Sequence, residues 1–167
     1  MPRQQLENEI IKLSNADSWA DACAEWNLSY IYFAPTDDPE TCLCGKHPIF
    51  ELCVIENRHN SNEATVGNVC VNEFLGFGSD KIFQATKRIK SDDECALNVE
   101  AIEYGYEQGW LSDWECEFYT DTWRKRNLSE KQLGHRVRIN RKFLARIEAA
   151  QRRKGRDRPA PPKLRPR

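Results

Sequence analysis

The sequence predicts an α+β fold in which strands lie in the first half of the chain, helices dominate the second half, and a disordered basic tail follows. Three observations favour this fold. Two strand-like runs, 47–56 and 64–69, flank a polar turn. Helix start signals are concentrated after residue 90. Residues 152–167 consist mainly of Pro and basic side chains, which cannot form a core.

The 167 residues are enough for one domain with appendages. Composition and spacing divide the chain into four parts: 1–40 with N-terminal helices and a strand, 41–78 with a cysteine-containing finger, 79–151 with a helical region, and 152–167 with the tail. The cysteines of the second part and the charges of the last two carry most of the functional information.

The first part is predicted to contain two helices and one strand. Apolar side chains at helical spacing indicate the helices, with Leu6, Ile10, Ile11 and Leu13 in one and Trp19, Ala22, Cys23 and Trp26 in the other. Residues 28–33 alternate and are rich in aromatic side chains, which is typical of a strand. A loop with two prolines then leads to the finger.

Cysteines in residues 41–78 indicate a metal site. Cys42 and Cys44 are followed by Gly45, so a tight turn can place both thiolates on one side of a tetrahedral Zn²⁺. Cys70 follows the predicted hairpin and begins a short helix. In a reducing compartment, an odd total of seven cysteines favours metal binding over a disulfide framework. We therefore predict a structural zinc ion.

The fourth ligand has two candidates. Cys53 lies on the strand that leaves the turn, and His47 is three residues after Cys44. The favoured ligand set is Cys42, Cys44, Cys53 and Cys70, with His47 as the alternate ligand. Cys53 also has a second interpretation, because free cysteines are often buried apolar thiols in strands.

The order of these elements resembles a treble-clef zinc finger, which has a cysteine turn, a β-hairpin and a helix with a ligand in its first turn. The chain differs from the usual pattern in having C-x-C instead of C-x-x-C in the turn, and one cysteine instead of two at the helix. The wider pattern, C-x-C-G followed by V-G-x-x-C-V-x-x-F, resembles small uncharacterised bacterial and phage zinc-binding proteins. These resemblances imply zinc binding and a bacterial or phage origin, and they leave the activity open.

Capping boxes define the helical region. They begin at Ser91, Ser112 and Ser129, each with Glu or Gln three residues later, and such boxes satisfy backbone amides at helix starts. They predict helices at about 92–108, 113–126 and 130–154, preceded by a shorter helix at 81–89. The short links between them indicate helical hairpins.

Aromatic side chains are concentrated between residues 104 and 123. Such side chains either stack on the bases of a single strand or pack in the core. Ile102 with Tyr106, and Trp114 with Phe118, are four residues apart, which is the spacing of a buried helix face. We therefore expect core packing, with one edge lining a groove.

Charge is divided unevenly along the chain. Residues 123–167 contain 17 Lys/Arg and 3 Asp/Glu, and the remaining residues contain 8 and 23, so a region of +14 follows a body of −15. On the last helix, we expect an inward stripe of Leu133, Val137, Leu144 and Ile147. The candidate nucleic-acid-binding residues are Arg124, Lys125, Arg126, Arg138, Arg141, Lys142, Arg146, Arg152 and Arg153.

This charge asymmetry has two interpretations. Guanidinium groups pair with phosphates, and the release of counterions makes such binding strong at low salt. The favoured function is therefore binding of DNA or RNA through phosphates by a protein with structural zinc. Alternatively, the basic arm pairs with the acidic body, and the chain is a protein–protein interaction module such as a phage or prophage regulator or inhibitor of a host complex.

Other classes of protein have less support. No apolar run approaches 18 residues and no signal-like segment begins the chain, so we expect a cytoplasmic protein without membrane contact. The chain has three histidines, no phosphate-cradling glycine loop and no nucleophile elbow, which favours a non-enzymatic role. A metal-dependent nuclease is the enzymatic alternative, and no small-molecule substrate is expected.

Overall fold

The computed structural model describes residues 2–74, 76 and 78–156, and this part of the chain is a mixed α+β structure, as predicted. The strands are β1 (Trp26–Phe33), β2 (Glu51–Asn57) and β3 (Glu63–Gly67). The helices before residue 92 are α1 (Pro2–Leu13), α2 (Trp19–Ala24), α3 (Asn68–Phe74) and α4 (Ser79–Ser91). The later helices are α5 (Val99–Glu107), α6 (Asp113–Thr122) and α7 (Glu130–Arg156).

The three strands form one antiparallel sheet in the order β1-β2-β3. In the central strand, Cys53 lies opposite Ile31 of β1 and Val66 of β3. One face of the sheet packs against the helices, and one cluster of buried apolar side chains extends from Leu6 of α1 to Ile147 of α7. The predicted parts 1–40, 41–78 and 79–151 therefore share a core.

Side chains of the α5 region cover the outer edge of β1. The Ile31 amide donates to the Tyr104 hydroxyl at 3.0 Å, and Gln108 donates its side-chain amide to the Ser29 carbonyl at 2.7 Å. An edge strand otherwise presents unpaired backbone groups to solvent. These bonds therefore stabilise the sheet edge and fix α5 against it.

Aromatic rings join α5 and α7 in the core. The rings of Tyr104, Trp110 and Phe143 meet edge to face, with centroids 5.3–6.5 Å apart. A Cβ on Gly105 would lie 3.2 Å from the Phe143 ring, so glycine allows this close approach. Burial of Tyr104, Trp110 and Tyr119 confirms core packing for these three rings. The prediction is wrong for Tyr106 and Trp114, which are 46% and 50% exposed.

A buried polar network ties α6 and α7 to the segment 92–98. The Tyr119 hydroxyl donates to Asn140 Oδ1 at 2.6 Å and accepts from the Leu97 amide at 3.0 Å. Asn140 Nδ2 donates to the carbonyl oxygens of Asp93 at 2.8 Å and Cys95 at 2.7 Å. Burial raises the pKa of Tyr119, which keeps its hydroxyl a donor. The segment is thus fixed by tertiary bonds.

Two of the three predicted capping boxes are present. At Ser112 and at Ser129, the hydroxyl accepts from the amide three residues later and the Glu or Gln side chain accepts from the serine amide. The prediction at Ser91 is wrong, because Ser91 is the last residue of α4. Helix α5 begins at Val99, where the Asn98 side chain accepts from the Ala101 amide.

Several predicted boundaries are corrected. β2 begins at Glu51, since Ile49 pairs only through an isolated bridge with Glu40. β3 ends at Gly67, so residues 68 and 69 belong to α3, and α6 ends at Thr122. Helix α7 continues to Arg156, five residues into the segment predicted to be disordered, and 157–167 lie outside the described residues.

The buried side of α7 also differs from the predicted stripe. Of that stripe only Ile147 is buried, and Leu133, Val137 and Leu144 are half-buried. The fully buried positions are Ile139, Asn140 and Phe143.

Within the described residues, no helix combines the length and the apolar character needed to cross a membrane.

Candidate metal centre

A turn before β2 holds the first two cysteines. The Gly45 amide donates to the Cys42 carbonyl at 2.8 Å, and the Cys42 amide donates to the Lys46 carbonyl at 2.9 Å. Gly45 has a φ of +89°, a left-handed conformation that favours glycine. The turn buries the side chains of both Cys42 and Cys44.

Cys70 approaches this turn from the start of α3. Because β3 ends at Gly67 and α3 begins at Asn68, Cys70 lies in the first turn of the helix. The Gly67 amide donates to Cys42 Sγ at 3.2 Å, which links the hairpin end to the cysteine turn. The sulfur atoms of Cys42, Cys44 and Cys70 all lie within 4.8 Å of one another.

This cysteine group could hold a metal ion. Thiolates bound to one tetrahedral Zn²⁺ at about 2.3 Å lie roughly 3.8 Å apart. Sulfur atoms within 4.8 Å of one another are therefore compatible with a shared metal ion. Three thiolates without a carboxylate suit a soft or borderline cation.

The sulfurs influence one another's protonation. A hydrogen bond from Cys70, helped by the Gly67 amide, outweighs burial and lowers the pKa of Cys42 to about 5. The same contact and burial raise the pKa of Cys70. A metal ion binds thiolates, and the lowered pKa favours the thiolate form of Cys42. A metal ion that also binds Cys70 displaces the proton of the Cys70 thiol.

Cys53, predicted as a ligand, lies outside this group. Its side chain is fully buried in the core between β1 and β3. Burial raises the pKa of the Cys53 thiol to about 12, so it behaves as an apolar side chain. Its position in the central strand thus fits the second interpretation, a buried thiol.

His47, the alternate ligand, lies beside the group without belonging to it. The ring Nδ1 is 3.1 Å from the Glu40 carbonyl oxygen and 3.0 Å from Thr41 Oγ1. A carbonyl oxygen only accepts, so Nδ1 donates and a neutral ring keeps Nε2 as the acceptor. His47 lines an open cavity of about 740 Å³ together with Cys44 and Cys70.

The predicted nucleic-acid-binding residues lie on the loop after α6 and on the exposed side of α7. Arg124, Lys125 and Arg126 are exposed on the loop, and the Arg124 guanidinium is 4.7 Å from the centre of the Trp123 ring. The members on α7 recur at helical spacing on the side away from the core: Arg138, Arg141, Lys142, Arg146, Arg152 and Arg153.

Two members of this set are ion-paired with the acidic body. Arg141 Nε lies 2.7 Å from Asp93 Oδ2, and Lys142 Nζ lies 2.6 Å from Glu115 Oε1. Burial opposes ionisation of Glu115, yet the hydrogen bonds from Lys142 and Ser112 outweigh it and lower the pKa of Glu115. Pairing with the body, the alternative interpretation, therefore applies to these two residues.

The other predicted nucleic-acid-binding residues on α7 are exposed. Arg138, Arg146, Arg152 and Arg153 form no ion pair with any described residue. Lys131 is exposed seven residues before Arg138, on the same side of the helix. It was not among the predicted residues, although this spacing could have revealed it. We call these five residues the α7 cationic face.

Comparison of the chain with protein-family models, curated proteins and solved structures gives no significant match. The fold and the site define the class: an α+β protein with a three-cysteine group that could hold a metal ion.

Proposed function

We propose that this chain is a zinc-stabilised nucleic-acid-binding protein whose binding surface is the α7 cationic face. The observation that carries the proposal is the arrangement of these five exposed basic residues on one side of a long helix. Guanidinium groups at helical spacing contact successive phosphates. Phosphate contacts fix position without reading sequence, so the expected binding to DNA or RNA has little sequence specificity.

The zinc part of the proposal rests on the order of the elements. Cys42 and Cys44 come from a turn, β2 and β3 form a hairpin, and Cys70 lies in the first turn of α3, which is the order of a treble-clef finger. We assign the fourth position to His47. Its Nδ1 contacts the Glu40 carbonyl, as is usual for the second ring nitrogen of a zinc-bound histidine.

The proposed zinc ion is structural. Four protein ligands fill a tetrahedral site and leave no position for a reactive water. The ion would join the turn before β2 to α3, and its binding free energy would add directly to the free energy of folding. The zinc centre thereby stabilises the scaffold on which α7 packs, and it makes no contact with nucleic acid in this proposal.

Charge reversal tests the binding surface. The double variant Arg138→Glu, Arg146→Glu should bind a labelled duplex about 10- to 100-fold more weakly at low salt, because two phosphate contacts become repulsive. The matched control is Lys81→Glu, Lys87→Glu, which changes the net charge equally at two lysines of α4 that are paired with Glu100 and Glu51.

Fluorescence anisotropy gives the affinities, and circular dichroism checks that both variants fold. An equal loss of affinity in the two double variants would mean that binding follows net charge alone. Failure of the wild-type protein to bind at low salt would contradict the proposal and favour a protein partner.

A further inference from the structure

An exposed aromatic cluster lies between α6 and α7. Trp114 of α6 is 50% exposed. Its ring stacks on Phe118, with centroids 5.4 Å apart and 17° between the planes. His135 of α7 meets the rings of Trp114 and Phe118 at 5.0 Å and 5.6 Å. We call these three residues the Trp114 cluster.

The Trp114 cluster contacts the α7 cationic face directly. Arg138 Nη2 donates to His135 Nδ1 at 2.8 Å, so the Arg138 guanidinium lies beside the cluster. Lys131 is exposed one helical turn before His135. A flat aromatic surface and two cations are therefore adjacent at the N-terminal part of α7.

Acidic side chains border the cluster on α6. Glu117 and Asp121 are exposed at three and seven residues after Trp114, and Asp113 precedes it and accepts from the Tyr106 hydroxyl at 2.7 Å. These carboxylates repel phosphates, whereas Lys131 and Arg138 attract them. A polyanionic strand therefore has one favoured path, along α7.

We propose that Trp114 is a base-stacking site for single-stranded nucleic acid. This inference rests on the proposed nucleic-acid binding and names the form of nucleic acid that the surface takes. A base stacks on the exposed indole while neighbouring phosphates contact Lys131 and Arg138. The bases of a duplex are already stacked on one another, so a duplex gains only the phosphate contacts.

The test compares a labelled single strand of about 20 nucleotides, longer than the usual site of one small domain, with a duplex of the same sequence. Trp114→Ala in the full-length protein should weaken single-strand binding about 5- to 150-fold, the range for loss of one stacked base. Duplex affinity should stay within about twofold of the wild-type value, because phosphate contacts are unchanged.

Two further variants make the test specific. Trp114→Tyr keeps an aromatic ring and should retain most of the single-strand affinity. Phe50→Ala removes a ring of comparable exposure, 40%, beside β2 and should leave both affinities unchanged.

The outcomes separate this inference from the proposed function. If Trp114→Ala does not change single-strand affinity while Arg138→Glu, Arg146→Glu weakens binding to both forms, the stacking site is wrong and the proposed function stands. If the wild-type protein binds neither form at low salt, both are wrong.

Discussion

Cys42 takes part in the site through its sulfur, which lies near two other thiols and accepts a backbone hydrogen bond from Gly67. Cys42→Ser and Cys70→Ser should each lose the metal and unfold at lower temperature, because structural zinc supplies folding free energy. Metal analysis of the purified variants and thermal unfolding measure both effects.

Cys53→Ala is the matched control for these cysteine variants. It should keep one metal ion per chain, since the Cys53 sulfur lies outside the group. It should still unfold at somewhat lower temperature, because removing a buried sulfur leaves a small cavity. A metal-loaded Cys42→Ser or a metal-free Cys53→Ala would show that the ligand set is wrong.

His47 is the proposed fourth ligand. His47→Ala should weaken zinc binding measurably in competition with a chelator, and His47→Cys should restore it, because a thiolate also ligates zinc. His59→Ala, in the polar turn after β2, is the control and should bind zinc like the wild type. Equal zinc affinity in His47→Ala and wild type would remove His47 from the ligand set.

Glu25 is a buried carboxylate whose stabilising effect depends on pH. It accepts from the Asn57 side chain at 2.6 Å and from the amides of Asn15 at 2.9 Å and Ala16 at 2.8 Å. The bond from Asn57, and then those from the amides, lower the pKa of Glu25 below its value of 4.5 in an unfolded chain. Its stabilisation is therefore complete above about pH 4.5 and is lost as pH falls through the folded-state pKa.

Glu25→Gln should accordingly unfold at lower temperature than the wild type near pH 7. The gap between them should narrow as pH falls below about 4.5 and through the lowered folded-state pKa of Glu25, where the wild-type carboxylate takes up its proton. Glu63→Gln, at an exposed position that begins β3, serves as control. Thermal unfolding across this pH range measures the gap, and a gap independent of pH would contradict the role of the Glu25 charge.

Residue spacing predicted the positions that are now grouped, Cys42, Cys44 and Cys70, because a turn with glycine and a helix start are local features. Residue spacing could not predict whether Cys53 is a metal ligand or a core residue. Whether a strand residue faces a metal group or the core depends on the pairing of β2 with both neighbours, and the spacing does not contain that information.

The sequence predicted a helix start correctly where that start depends only on neighbouring residues. The boxes at Ser112 and Ser129 need only four consecutive residues, and both are formed. Ser91 has the same pattern, but α4 continues through it because the buried Ile89 lies in its last turn. The following segment is held by α7, which no local rule describes.

The inward side of α7 also could not be predicted from local spacing alone. Counting apolar side chains favoured Leu133 and Val137, whereas the buried positions include the polar residues Arg136 and Asn140. Arg136 Nη2 donates to the Thr122 carbonyl at 2.8 Å, and Asn140 bonds the segment before α5. Tertiary partners satisfy these buried polar groups, except that Arg136 Nε has no hydrogen-bond partner among the described residues.

Asn140 therefore has a large expected effect on the packing of α7. Asn140→Ala removes the acceptor of the buried Tyr119 hydroxyl, which keeps only its bond from the Leu97 amide, and the donor to the carbonyls of Asp93 and Cys95. It should lower the free energy of unfolding by about 3 kcal/mol, measured by urea denaturation. Asn127→Ala, at an exposed loop position, should change it by less than about 0.5 kcal/mol. Similar stability of the two variants would contradict this account of α7.

At the scale of the whole molecule, a net charge of −1 conceals an acidic body and a basic C-terminal region. The sequence predicted this division but not which basic residues the body would engage. Arg141 and Lys142 form ion pairs with it, whereas the α7 cationic face forms no ion pair with any described residue. In the proposed function, charges separated in this way orient an approaching polyanion toward α7.

The most direct test of the central claim is the salt dependence of nucleic-acid binding by the full-length protein. If the five residues of the α7 cationic face each neutralise a phosphate, a plot of log affinity against log salt for a duplex should have a slope of about −4 to −5. Arg138→Glu, Arg146→Glu should make the slope shallower by about 2. A slope near zero, or the same slope in the variant, would contradict phosphate binding by α7.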